Sequence, residues 1–172
     1  MKITIFGHLA AGKSTLSLNL SKIYKIPIFH IDEIVDSERF IPLNYQEEAI
    51  TYRVNQIIRI NPSWIIEGIT TYKELELRAN EADMIIFLDL SLSKCFFRSL
   101  KRFFNNRGKQ RLGGGKGCLE IYGINILVNI IRTRLPKHRK LFNKICKNNS
   151  NKTVILKSQK EIDNFIKIEK TK

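Results

Sequence analysis

The N-terminal stretch, residues 1–24, constrains the fold more than any other part of the chain. Residues 1–6 begin with alternating polar and apolar side chains and continue as an apolar run, which is typical of a buried strand. Gly7–Ser14 follows and matches the P-loop pattern G-x-x-x-x-G-K-[ST]. Apolar residues at helical spacing within Ser14–Tyr24 predict a helix directly after the loop. A strand, this loop and a helix in that order predict a binding site for nucleotide phosphates, whereas the simpler alternative is a glycine turn that only links strand and helix.

This loop brings together the groups that bind phosphate. Its glycines allow backbone conformations that other residues avoid, so that consecutive N–H groups can point inward around an anion. The following helix adds the positive end of its dipole. Lys13 supplies a charge for the terminal phosphates, the Ser14 hydroxyl can ligate Mg²⁺, and we expect the His8 side chain to point outward. The predicted nucleotide-binding residues are Gly7, His8, Leu9, Ala10, Ala11, Gly12, Lys13, Ser14 and Thr15.

The composition is that of a globular protein with one domain. A chain of 172 residues is long enough to bury a core. No apolar run approaches the roughly 20 residues that cross a bilayer. Because cleavage would destroy the strand before the P-loop, we expect no cleavable signal peptide. The three cysteines, Cys95, Cys118 and Cys146, are widely spaced, which favours reduced thiols in a cytoplasmic protein over disulfides or a zinc site.

Charge is distributed unevenly along the chain, whose net charge is +14. Residues 1–97 hold 10 Lys and Arg against 12 Asp and Glu, whereas residues 98–172 hold 20 against 4. The basic half is compatible with contact to nucleic acid or a membrane surface, with arginines gathered around a polyphosphate, or with an ordinary solvated surface. The sequence leaves these three interpretations open.

Short β-type runs alternate with helical segments along the whole chain. The predicted strands are residues 1–6, Ile26–Asp32, Trp64–Gly68, Ala82–Asp89 and Thr153–Leu156. This alternation predicts an α/β domain with a parallel sheet, helices on both faces and right-handed crossovers. Ligands of such sheets bind beyond the carboxyl ends of the strands. We therefore expect Asp32, Glu67 and Asp89, which end three of these runs, to lie on the same edge as the P-loop.

Two segments of the single predicted domain, residues 1–172, are candidates for binding the phosphoryl acceptor. Residues 33–62 are polar at first and helical in their second half, and we interpret them as an acceptor-binding insertion. Residues 103–117 favour a mobile lid or an anion-binding loop, with disorder as the alternative. Their basic side chains stand among glycines and are Arg107, Lys109, Arg111 and Lys116.

The remaining segments complete the predicted layout. Ser91–Phe104 is a predicted helix that is rich in apolar and basic residues. Cys118–Leu135 is apolar enough for a buried or partly buried helix that is broken by Pro136. Lys137–Asn151 is basic and polar.

Several stretches together resemble one known family. They are Gly7–Ser14, His30-Ile31-Asp32, Trp64–Gly68, Arg78 with Ala82-Asp83, Ile85–Asp89, Cys95, Arg98 and Lys101-Arg102. On these stretches, residues 1–102 resemble the small bacterial P-loop proteins known as DNA topology modulation proteins, which are relatives of adenylate kinase and shikimate kinase. The resemblance implies a three-layer P-loop NTPase fold like that of nucleoside monophosphate kinases. It also implies a five-stranded parallel sheet in the order 2-3-1-4-5, and binding of ATP.

The chain departs from nucleoside monophosphate kinases after the third strand. Those enzymes usually carry Asp-Gly-aromatic-Pro-Arg there, whereas this chain has Glu-Gly-Ile-Thr-Thr at residues 67–71. The proline and arginine that help to hold a monophosphate substrate are missing. This difference argues against adenylate kinase activity.

Three acids are candidate site residues, and each has a simpler interpretation. Asp32 can orient or deprotonate a substrate hydroxyl, or hold a metal-bound water, and otherwise it caps the helix that follows. Glu67 is the candidate Walker B-type acid because the implied strand order places it beside the P-loop strand, and otherwise it is a solvent-exposed acid. For Asp89, capping of the next helix competes with a ligand role. The predicted metal ligands are Ser14, Glu67 and Asp32.

Arg98 and Arg102 lie one helical turn apart on one predicted face. Related kinases place arginines at this point, just before the lid, where they stabilise the transferred charge. The alternative is a solvated basic helix face. His30 is either a second contact to the acceptor or a buried strand histidine. The predicted catalytic residues are Lys13, Asp32, Arg98 and Arg102.

These features favour an ATP-dependent phosphotransferase that uses Mg²⁺ and passes the γ-phosphoryl group to a nucleotide or another small acceptor. The alternative is a nucleotide-dependent nucleic-acid-binding or regulatory protein that uses the basic C-terminal half. The sequence favours this alternative less, because no known nucleic-acid motif is present. ATP and an unidentified acceptor are the expected partners, a membrane is not, and the oligomeric state stays open.

Overall fold

A parallel sheet forms the middle layer of the molecule. The computed structural model describes residues 1–38, 40–106 and 135–171. In this part of the chain the strands are β1 (Lys2–Gly7), β2 (Ile28–His30), β3 (Trp64–Glu67), β4 (Met84–Leu88) and β5 (Thr153–Leu156). They are all parallel and lie in the order β2-β3-β1-β4-β5. The predicted sheet and its strand order are confirmed.

Helices connect these strands. They are α1 (Lys13–Tyr24), α2 (Ile31–Ser37), α3 (Leu43–Ile60), α4 (Tyr72–Glu81), α5 (Leu92–Asn106), α6 (Leu135–Asn148) and α7 (Gln159–Thr171), with a 3₁₀ turn at Ser150–Lys152. Each strand is short and apolar because both of its faces are covered by helices.

The core is divided into two apolar layers by the sheet. In β3, Trp64 and Ile66 belong to the layer under α3, α4 and α6, whereas Ile65 belongs to the layer under α1 and α7. This alternation follows from the period of two in a strand, which points successive side chains to opposite faces. The predicted helices on both faces of the sheet are confirmed.

Helix α6 is an element that the sequence analysis missed. Lys137–Asn151 contains many basic residues, and Pro136 suggested a break, but a helix runs over Leu135–Asn148. Proline is tolerated in the first turn, where its missing N–H has no helical acceptor. Phe142, Ile145 and Cys146 form the buried stripe of this helix. Residues 118–134 of the predicted helix Cys118–Leu135 lie outside the described residues. So does most of the predicted lid, including all four of the lid's basic side chains.

Two further predictions concern membrane-spanning helices and the cysteines. Within the described ranges, no helix has the length and apolar character that crossing a membrane requires. Cys95 and Cys146 are buried and free, as expected for reduced thiols. Burial raises the pKa of the Cys146 thiol to about 11, with the nearby Asp89 charge acting in the same direction. This thiol is therefore protonated and unreactive at neutral pH.

Candidate nucleotide and phosphoryl-transfer site

The P-loop depends on backbone conformations at its two glycines. Gly7 ends β1 with φ 149°, and Gly12 precedes α1 with φ 99°. A Cβ at Gly7 would lie 2.5 Å from the carbonyl oxygen of Leu88, on the neighbouring strand β4. A side chain at Gly12 would have open space, so only its backbone angle restricts that position. Ala10 also has a positive φ, of 55°.

Lys13, the first residue of α1, folds back on this loop. Its Nζ donates hydrogen bonds to the carbonyl oxygens of Gly7, at 3.3 Å, and His8, at 3.1 Å. The ammonium group therefore lies against the turn whose N–H groups are predicted to bind phosphate. This is the place that the P-loop mechanism requires for its lysine.

Glu67, Ser14 and His30 form one hydrogen-bonded group beside Lys13. Glu67 is the last residue of β3, and the parallel register places it next to Ile5 of β1 and His30 of β2. Its Oε1 accepts hydrogen bonds from Ser14 Oγ at 2.9 Å and, with the proton on Nδ1, from His30 at 2.6 Å. Glu67 is buried rather than exposed to solvent, so the simpler interpretation as a strand-end surface acid is wrong.

Glu67 and His30 each favour the charged form of the other. Burial pushes the pKa of Glu67 upward, but the His30 hydrogen bond, the Lys13 charge and the Ser14 hydroxyl outweigh it and lower the pKa below its ordinary value. Burial pushes the pKa of His30 downward, but its bond to Glu67 and the charges of Glu67, Glu33 and Asp32 raise it above 6.5. Glu67 is therefore a carboxylate at neutral pH, as a metal ligand must be.

The Ser14 hydroxyl and the Glu67 carboxylate fit a magnesium ion. Mg²⁺ prefers oxygen ligands and usually takes one or two protein groups together with substrate phosphates and water. Ser14 lies at the start of the helix that follows the phosphate loop, and Glu67 Oε1 lies 2.9 Å from its hydroxyl oxygen. Among the residues that the structure describes, no group of three or more His, Cys, Asp or Glu side chains is arranged as a metal site of its own.

Asp32 lies near this group but on a helix. It occupies the first turn of α2, two residues beyond His30, and its charge helps to raise the pKa of His30. The residue at the N-cap of α2 is His30, whose side chain makes no capping hydrogen bond. The alternative interpretation of Asp32 as a helix cap is therefore wrong.

Arg98 lies at the P-loop, and Arg102 lies one turn further along α5. Nη1 of Arg98 approaches the carbonyl oxygen of Ala11 at 3.5 Å, and its Nη2 donates to Gln159 Oε1 of α7 at 2.8 Å. Arg102 is half-buried. The structure thus brings Arg98 to the loop that holds Lys13, and the simpler interpretation of a purely solvated helix face does not describe it.

Several solved structures with this architecture are kinases. The chain is similar to a shikimate kinase from Bacteroides thetaiotaomicron, with a TM-score of 0.64 and 14% identity over 98% of this chain and 95% of that chain. A shikimate kinase from Aquifex aeolicus gives 0.56 and 16% over 98% and 92%. A deoxyadenosine kinase from M. mycoides, with the products dCMP and a flexible dCDP bound, gives 0.53 and 16% over 98% and 96%. The chain has the P-loop kinase fold.

These identities are low, so the likeness establishes the fold and not the activity. No family model matches the chain, and neither does any curated protein sequence. The resemblance to DNA topology modulation proteins is not confirmed and stays a prediction.

One prediction within the P-loop kinase fold is wrong: the His8 side chain does not point outward. Only 3% of His8 is exposed, and its ring centroid lies 6.4 Å from that of Phe87 and 5.8 Å from that of Phe142. The period of two in β1 explains this, because it carries past Gly7 and points His8 to the same face as Phe6. That period was the signal in the sequence that could have located the ring.

Arg139 of α6 is a residue near the P-loop that the sequence analysis did not identify. Its Nη2 lies 3.8 Å from Asp89 Oδ1, and the same carboxylate oxygen lies 3.9 Å from His8 Nε2. Asp89 therefore faces the P-loop histidine and a basic helix that the sequence places far apart. The pattern of apolar residues at Leu141, Phe142 and Ile145 could have indicated the helix, but not which basic residue meets Asp89.

We expect acid to weaken the fold through His8. Burial lowers its pKa, which the Asp89 charge opposes and the charges of Arg139, Lys13 and His138 reinforce. The unfolded chain therefore binds this proton more readily than the folded one, and stability falls as pH drops below about 6.5 toward the folded pKa. His8→Phe keeps a ring against Phe142 but cannot titrate.

The measurement is the free energy of unfolding by denaturant between pH 5.5 and 7.5. The acid-induced loss should be smaller in His8→Phe than in the wild-type protein, and equal losses would contradict the assignment. His8→Ala, which removes the buried ring, should cost about 3 kcal/mol at pH 7.5, and less at pH 5.5, where the wild-type protein has already lost stability.

Proposed function

We propose that the protein is a Mg²⁺- and ATP-dependent phosphotransferase that passes the γ-phosphoryl group to a small hydroxyl- or phosphate-bearing acceptor. The observation that carries this proposal is the hydrogen-bonded group of Ser14, Glu67 and His30 beside Lys13. A P-loop alone supports phosphate binding. A buried carboxylate kept charged next to the loop hydroxyl supports metal-assisted chemistry on the bound phosphates.

The proposed step is an in-line displacement. The acceptor oxygen forms a bond to the γ-phosphorus while the bond from that phosphorus to the β–γ bridging oxygen breaks, and ADP leaves. Asp32, at the start of α2, orients the acceptor hydroxyl and takes its proton. Lys13 neutralises charge on the β- and γ-phosphates from its place against the loop. A Mg²⁺ ion held by Ser14 and Glu67 would neutralise further charge on the same phosphates.

The arginines complete the charge stabilisation in this proposal. Arg98 already reaches the loop at Ala11, and Arg102 follows one turn later on the same face. As the negative charge spreads over the transferred oxygens, guanidinium groups near the loop stabilise it. The similar solved structures are of a shikimate kinase and a deoxyadenosine kinase, so a hydroxy acid and a deoxynucleoside are reasonable first acceptors to test.

The test is turnover of purified full-length protein with Mg-ATP and a panel of acceptors. The panel should contain shikimate and other hydroxy acids, deoxynucleosides, ribonucleosides and nucleoside monophosphates, with ADP formation and a phosphorylated product both measured. Asp32→Asn in the same panel should lose turnover but keep ATP binding. A protein that binds ATP but phosphorylates no acceptor would overturn the proposed activity.

A second candidate function rests on one surface of α5. Phe97 and Phe104 are 67% and 65% exposed, and the exposed Lys101 lies between them at helical spacing. Exposed aromatic rings alternating with basic side chains can stack on single-stranded bases and contact their phosphates. Binding of a single-stranded oligonucleotide should then weaken steeply with salt and be reduced in Phe97→Ala. Affinity too weak to measure at low salt would eliminate this candidate.

A further inference from the structure

A buried ion pair lies behind the end of β3. Arg78 and Glu74, one turn apart in α4, are both fully buried, with Arg78 Nε 2.7 Å from Glu74 Oε1. Arginine and glutamate are seldom buried unless they are paired. The mechanism proposed above uses neither side chain, and neither reaches the P-loop in any described contact.

Arg78 also donates hydrogen bonds to the carbonyl oxygens of the residues directly before and after Glu67. Nη1 donates to the carbonyl oxygen of Ile66 at 3.0 Å, and Nη2 donates to the carbonyl oxygen of Gly68. The Gly68 N–H in turn donates to the Ile5 carbonyl oxygen of β1 at 3.1 Å. One guanidinium therefore holds the carbonyl groups of the residues before and after Glu67, at the point where the chain leaves the sheet after β3.

Glu74 fixes the direction of that guanidinium. Its carboxylate, one turn earlier in the same helix, lies against Nε of Arg78. Its own backbone N–H donates to Thr71 Oγ1, which caps α4. The turn from 68 to 71 is thus tied to α4 through the Gly68 carbonyl oxygen and the Thr71 hydroxyl.

Stability alone is a weak reason for such a pair. Replacing a buried ion pair with apolar side chains of similar volume is often neutral or stabilising, because both charges must be desolvated. What apolar side chains cannot supply is a rigid fork of donors for two carbonyl oxygens on either side of one acid. The guanidinium of Arg78 therefore holds the backbone around Glu67 in a way that an apolar side chain could not.

We propose that Arg78, held by Glu74, is a positioning residue that aims the Glu67 carboxylate at Ser14 and so sets the affinity of the site for nucleotide-bound Mg²⁺. This inference rests on the proposed metal role of Glu67, but not on the identity of any acceptor. Groups that orient a metal ligand from behind typically change metal affinity about 10- to 100-fold when they are removed.

The test measures binding rather than turnover. The dissociation constant of a non-hydrolysable ATP analogue is determined by calorimetry in Mg²⁺ and in EDTA, and the ratio of the two values reports the metal site. The main variant is Arg78→Met/Glu74→Leu, which removes the pair without leaving one charge buried alone. Lys167→Met, which alters an exposed basic residue of α7, is the control.

We expect the double variant to keep the wild-type affinity in EDTA, because the P-loop is untouched, and to lose about 10- to 100-fold of the Mg²⁺ effect. Adding Glu67→Gln to the double variant should cause little further loss, because both changes act through the same carboxylate. A double variant with the wild-type Mg²⁺ ratio would overturn the proposal, and so would losses that add fully with Glu67→Gln.

Two other outcomes separate this proposal from the proposed activity. A wild-type protein whose affinity for the analogue is the same in Mg²⁺ and EDTA overturns the positioning role, because there is no metal affinity to set. Failure to phosphorylate any acceptor leaves the binding test intact and counts against the phosphotransferase activity alone. If the double variant fails to fold by circular dichroism, Arg78→Lys keeps the charge but loses the fork, and it should show the same loss of the Mg²⁺ effect.

Discussion

Lys13→Met should lower phosphoryl transfer by roughly 10²- to 10³-fold while the protein stays folded. The ammonium group contacts the carbonyl oxygens of Gly7 and His8, so it lies where the terminal phosphates would meet the loop. Charge on those phosphates grows and moves during the transfer, and a fixed positive charge stabilises the transition state more than the bound substrate. Steady-state kinetics with saturating ATP measures the loss in kcat.

The same substitution at Lys22 is the matched control. Lys22 is exposed in the last turn of the same helix, so Lys22→Met removes the same charge from α1 without touching the loop. Its kcat should stay within about twofold of the wild-type value, since exposed surface changes have small effects. If Lys13→Met kept near-normal turnover, Lys13 would not be part of the transfer site.

Glu67→Gln should lower turnover by about 100-fold and shift the Mg²⁺ requirement to higher concentration. Glutamine keeps the size of the side chain but removes the negative charge. The amide can still accept a hydrogen bond from Ser14 or His30, so loss of activity would report the charge rather than a collapsed site. Titration of initial rate against Mg²⁺ at fixed ATP is the measurement. Glu81→Gln, at an exposed position at the end of α4, should leave the titration unchanged.

The same variant makes a prediction for stability. The folded pKa of Glu67 is lowered, so its charge contributes stability that is fully present above the ordinary pKa of 4.5 and is lost as pH falls through the folded value. Denaturant unfolding from pH 6 to pH 3 should therefore be less steep in Glu67→Gln than in the wild-type protein. An unchanged slope would mean that this carboxylate has the same affinity for protons in the folded and unfolded chains.

Local patterns in the sequence predicted the sheet and the place of the site. The strand before Gly7, the runs Trp64–Gly68 and Ala82–Asp89, and the last strand were visible because buried parallel strands are short and apolar on both faces. The edge on which Glu67 lies then follows from the common direction of parallel strands. The strand order was implied by the family resemblance and not by these patterns.

The sequence patterns could not predict contacts between residues that are far apart in the chain. The pairing of His30 with Glu67 depends on the register between β2 and β3, which no spacing within either strand encodes. The meeting of Arg139 with Asp89 depends on how α6 packs, and its many lysines and arginines hid its narrow apolar stripe. The burial of His8 is different, because the period of two in β1 could have predicted it, whereas we expected the ring to point outward.

The packing of the His8 ring against Phe142 bears on when this protein acquires its site during synthesis. The motif that defines the loop leaves the ribosome before α6, which supplies one of the rings that pack against its histidine. Strand β4, which lies against Gly7, is in turn joined to β5 through Asp89 and Leu156. Contacts this distant in sequence form late, since long loops must close before they can contribute. A nascent chain that ends before residue 135 carries the complete phosphate-binding motif but lacks Phe142, one of the two rings that pack against His8.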